Sequence, residues 1–70
     1  MTIATETRMF WTAARDIRFH LLAGSPPHLT EDSYSEIETI ALHSDYPVLR
    51  DRASEILDER YRIFGMTRQA

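Results

Sequence analysis

Seventy residues bound a single domain with a small core. A hydrophobic content of 43% beside 27% charged residues places the chain among folded globular proteins and argues against disorder. A net charge of −3 disfavours nonspecific binding to nucleic acid or to acidic membranes.

A core of this size rarely supplies more than about 3–5 kcal/mol. Small chains gain further stability from disulfides, metals or association. There is no cysteine, which removes disulfides and weakens the case for a metal site. Self-association remains, and the surplus apolar surface of the first helix favours it. All eight basic residues are arginine, a type suited to planar, bidentate contacts. The start Met-Thr-Ile-Ala-Thr-Glu has no basic segment followed by an apolar run, so no signal peptide is expected. No stretch approaches the length of a membrane span. A cytoplasmic protein without membrane contact is the expectation.

The pattern predicts an all-α three-helix bundle over about residues 6–23, 30–44 and 46–64, with frayed tails at 1–5 and 66–70. In the first helix, Phe10, Ala14, Ile17 and Leu21 form one stripe by their four–three–four spacing. Thr5 followed by Glu6 is placed to cap it. Gly24 suits the left-handed residue just past its end. Trp11 and Leu22 fall on one flank of the stripe, and Phe19 falls nearly opposite. Arg8, Arg15 and Arg18 surround them. Large side chains thus leave this helix on three sides, whereas a surface helix needs one apolar face. Two readings follow. Either the first helix is the hub between the other two and buries everything internally, or these groups form a contact surface. Trp and Arg are enriched at binding hot spots.

Gly24-Ser25-Pro26-Pro27-His28 reads as a stiff connector. Thr30 is the expected cap of the second helix, with acids in its first turn. Leu29 and Tyr34 can staple across that cap. Tyr34, Ile37, Ile40 and Ala41 make its buried face, and Leu42 lies off it. Asp45 is the expected cap of the third helix, and Pro47 fits its first turn. Leu49, Ala53, Ile56, Leu57, Ile63 and Phe64 form the apolar face, and Gly65 ends the helix. Arg60 interrupts that face. It can snorkel to the edge, pair with Glu36 or Glu38, or face a partner. Between Arg18 and Arg50 there are five acids and no arginine or lysine, so the second helix is an acidic face.

His20, His28 and His43 are scattered, and none has a second ligand at metal spacing. No serine sits in an elbow motif, and no glycine-rich phosphate loop exists. No enzyme activity, cofactor or metal is expected. The expected function is a non-enzymatic protein–protein interaction module: a small regulator, adaptor or inhibitor that binds a larger protein and forms a homodimer. Its expected surface is Trp11, Arg15, Arg18, Phe19, Leu22 and Arg60. The alternative is a helix-turn-helix reader of DNA that uses Arg50, Arg52, Arg60 and Arg62 on the third helix. Four interleaved acids and the missing turn glycine weigh against it.

Overall fold

The computed structural model describes residues 2–65, except for the side chain of Phe64. The expected tail 66–70 and the place of Phe64 on the apolar face lie outside the described residues. The chain is a three-helix bundle: α1 (Ile3–Ala23), α2 (Glu31–His43) and α3 (Pro47–Phe64). A single 3-10 turn, Pro27–Thr30, leads into α2. No described residue is in a strand. Among the described residues no helix is long and apolar enough to cross a membrane.

α1 begins earlier than the sequence predicted, so residues 3–5 are helical and not frayed. The cap is Thr2, not Thr5. Thr2 is extended, with φ −81° and ψ 160°, and its Oγ1 accepts from the Thr5 N–H at 3.3 Å. A threonine three residues ahead of another N–H can satisfy one of the orphan donors of a first turn. The far end of α1 closes as expected. Gly24 has φ 67°, the Gly24 N–H donates to Leu21 O, and the Ser25 N–H donates to His20 O. These two bonds are the Schellman pattern that glycine allows.

Thr30 occupies the N-cap position of α2 as expected, but its side chain makes no capping bond. It is buried at the end of the 3-10 turn, and its hydroxyl donates to Pro27 O at 3.0 Å. The prolines bend the chain into that turn first, so Thr30 is already folded back when α2 starts. Leu29 remains half exposed at 48%, which limits the expected staple. Asp45 does not cap α3 either. The buried Ser44 holds this corner: its Oγ accepts from the Tyr46 N–H at 3.1 Å, and its carbonyl accepts from Arg50 Nη1 at 3.0 Å. Pro47 occupies the first turn, where its missing N–H costs nothing. Gly65, at φ 64°, ends α3.

The hub is α2, and not α1 as the aromatic content of the first helix had suggested. α1 and α3 each pack along α2, and they meet one another at few points. Helices packed 8–10 Å apart in a closed triangle give similar width and thickness. Here the dimensions are 33 × 25 × 15 Å, those of a bundle opened on one side. The core joins Phe10, Ala13 and Ile17 of α1 to Tyr34, Ile37 and Ile40 of α2, and to Leu49 and Ala53 of α3. On α1 the buried strip is Glu6, Phe10, Ala13 and Ile17. It is turned toward Ala13 relative to the predicted stripe, because α1 packs chiefly along α2 and touches α3 at few points. Ala14 and Leu21 are only partly buried. Ile63, predicted on the apolar face of α3, is 50% exposed for the same reason.

A polar clasp fastens α1 to α2. Ser33 Oγ donates to Asp16 Oδ2 at 2.6 Å, and Asp16 Oδ1 lies 3.4 Å from His20 Nε2. His20 Nδ1 in turn lies 2.9 Å from Ser25 Oγ.

Candidate functional site

The opening between α1 and α3 is a groove of about 550 Å³. Helical spacing builds both walls. On α1, Trp11, Ala14, Arg18 and Leu22 recur every three or four residues, in a strip beside the core strip. On α3, Arg52, Ile56, Glu59 and Ile63 do the same, with Glu55 at the rim. Phe10 and Ile17 form the base of the α1 wall, and Tyr34 of α2 is the floor.

The groove exposes apolar surface. Trp11 is 54% exposed and Leu22 84%. Trp11 is fixed from behind by Phe10, whose ring meets it edge-on at 5.2 Å and 81°. Packing of this kind gives a half-exposed indole a defined orientation, which lowers the entropy lost when a partner covers it.

The predicted surface residues do not all meet here. Trp11, Arg18 and Leu22 line the groove. Arg15 is exposed beside it on α1. Phe19, 63% exposed, falls on another side of α1, where its ring packs edge-on against His20 at 5.3 Å. Arg60 sits behind the groove floor. Its guanidinium carbon lies 4.3 Å from the centre of the Tyr34 ring. The expected pairing with Glu36 or Glu38 is not made among the described residues; the partly exposed side chain runs over the Tyr34 ring. The sequence reading misses the α3 wall: it uses Arg52 only in the DNA-reading alternative, places Ile56 and Ile63 in the core, and does not join Glu55 and Glu59 to them as one surface. The four–three–four spacing of Arg52, Ile56, Glu59 and Ile63 is present in the chain.

Charge is divided between the walls. The exposed charges of α1 that turn away from α2 are Arg8, Arg15 and Arg18. The two acids of α1 turn the other way: Glu6 is buried, and Asp16 is bonded to Ser33 of α2. The α3 wall carries Glu55 and Glu59 beside Arg52. Among the described residues, Arg15, Arg18, Glu55 and Glu59 have no ion-pair partner.

The Asp16–His20–Ser25 sequence of contacts has the residue types of a nucleophile relay. Here the contacts tie the loop after α1 to the last turn of that helix. The Ser25 hydroxyl and N–H both bond to His20, one to the ring and one to the carbonyl. On the opposite side of α1 and α2, a smaller cleft of about 300 Å³ is lined by Glu6, Glu36 and His43 among others. No group of three or more His, Cys, Asp or Glu among the described residues is placed to hold a metal ion.

No protein-family model matches this chain, and neither curated proteins nor solved structures give a match.

Proposed function

We propose that this chain is a non-enzymatic protein–protein interaction module, a small regulator or adaptor whose α1–α3 groove receives an amphipathic helix of another polypeptide. One observation carries the reading: Trp11, Leu22 and Ile63 are exposed together on the walls of one groove. Scattered exposed apolar residues are ordinary, but apolar groups gathered on both walls of one groove, with charges beside them, mark an interaction surface. The groove has the form of a helix-in-groove site, which takes anchors at i, i+3 or i+4, and i+7. A cytoplasmic setting belongs to this reading and is open to cell fractionation.

A DNA-reading α3 has less support. Arg60 is committed to Tyr34 and Arg50 to the Ser44 carbonyl, which takes two of four arginines away from a phosphate or base edge.

The test is capture from native lysate by tagged wild type, Leu22→Asp and Ile63→Asp, each checked for unchanged helicity. The expected result is one protein held by wild type, lost by both variants, and rebound by wild type when purified. Equal capture by all three sinks the reading.

A further inference from the structure

We infer that the occupant of the groove is a second copy of this chain, bound about a two-fold axis that runs along the groove, so that α1 of each copy lies over α3 of the other. The inference rests on the reading of the groove as a helix-binding site, and it names the helix.

Charge selects the partner and the axis together. α1 is the basic wall, through Arg15 and Arg18, and α3 carries the acids Glu55 and Glu59 beside a single arginine, Arg52; neither those acids nor Arg15 and Arg18 are paired within one protomer among the described residues. A two-fold axis across the helices would set α1 against α1 and α3 against α3. Arginines would then face arginines and glutamates face glutamates, a repulsion worth several kcal/mol across an interface. An axis along the groove keeps each residue at its own height and exchanges the walls.

The heights match. Asp16 bonds to Ser33, and Arg60 stacks on Tyr34. Ser33 and Tyr34 are neighbours on α2, so residue 16 of α1 and residue 60 of α3 lie at one level. Arg15 of one copy therefore comes level with Glu59 of the other, Arg18 lies three residues above it, and Glu55 lies one turn below; Arg8 and Arg52 meet at the far end of the seam. Trp11 and Leu22 enter the facing groove, where Ile56 and Ile63 receive them. A stable interface needs about 600–1,000 Å² from each partner. The whole protomer exposes 5270 Å², so one open face of it is sufficient.

The test is a charge exchange read by sedimentation equilibrium between about 1 and 200 μM. Two variants are made on the full chain: Arg15→Glu with Arg18→Glu, and Glu55→Arg with Glu59→Arg. All four residues are exposed, so folding is retained, and circular dichroism verifies it. Wild type is expected to be a dimer in this range. Each variant alone is expected to dimerise at least about tenfold more weakly, because like charges then meet on both seams. An equimolar mixture is expected to recover a heterodimer, since at positions 15, 18, 55 and 59 each seam again joins opposite charges. Wild type that stays monomeric at 200 μM overturns the inference. So does a mixture no tighter than either variant alone. If wild type is monomeric while Leu22→Asp still loses a captured protein, this inference fails and the interaction module stands. If wild type dimerises with unchanged affinity in both charge variants and in Leu22→Asp, the groove is not the seam.

Discussion

The guanidinium of Arg60 lies 4.3 Å from the centre of the Tyr34 ring, which makes a charged side chain part of the α2–α3 seam. The arginine is only partly exposed and the ring is buried. A cation over an aromatic face is worth about 0.5–2 kcal/mol, more as water is excluded. The stem of Arg60 also covers apolar surface that water would otherwise reach.

Arg60→Met keeps the stem and removes the charge. It is expected to cost about 1 kcal/mol, seen as a drop in Tm of about 4–8 °C for a domain of this size. The same substitution in a Tyr34→Leu background is expected to cost nothing further. Chemical denaturation of the four proteins in this cycle measures the coupling. An equal cost of Arg60→Met in both backgrounds would show that the ring is not the partner.

Tyr34 predicts an alkaline weakness. Burial, first, and the charge of Glu59 raise the pKa of its phenol above the ordinary value, against an opposing pull from Arg60. The folded state thus holds the phenolic proton more tightly than the unfolded chain, whose value is about 10. Stability from this source is complete below that pH and is lost as pH rises through the folded value. Tyr34→Phe cannot ionise. Its Tm is expected to fall less steeply than that of wild type above about pH 10, with Tyr46 and Tyr61 as common background. Parallel slopes in thermal melts would remove Tyr34 as the cause.

The corner between α2 and α3 separates two neighbouring residues. Ser44→Ala deletes the acceptor of the Tyr46 N–H and is expected to cost about 0.5–2 kcal/mol. Asp45→Ala, at an exposed position without a capping bond, is expected to stay within about 0.5 kcal/mol. Urea titrations decide between them. The reverse ranking would restore the acid as the cap.

Much of the fold is legible in the sequence because its signals are local. Gly24, Pro47 and Gly65 each mark a helix end for a steric reason that holds in any context. The spacing of Tyr34, Ile37 and Ile40 identifies the buried face of α2 without reference to the other helices. The arrangement of helices is not local. The aromatic bulk of α1 suggested a hub, but which helix stands in the middle depends on which faces meet. Ala13 and Ala53 are both buried, but small residues on α1 and α3 allow close approach of any neighbour and do not single out α2 as the middle helix. Arg60 was recognised as misplaced for a solvated charge, yet its resolution required the ring of Tyr34, 26 positions away in the chain. Of the site, the α1 wall could be read from the surplus of Trp11 and Leu22. The α3 wall could not, since Ile56 and Ile63 look like core until the gap beside them is seen.

Since α2 stands between the other two helices, each packed seam joins helices consecutive in the chain. The turn between α2 and α3 spans only Ser44–Tyr46, so that pair meets after a short search. Few of the stabilising contacts wait on closure of a long loop. Such topologies relax to the native state on the order of microseconds to milliseconds. Stopped-flow or temperature-jump refolding of the protomer is therefore expected to run at the fast end of the range for small domains.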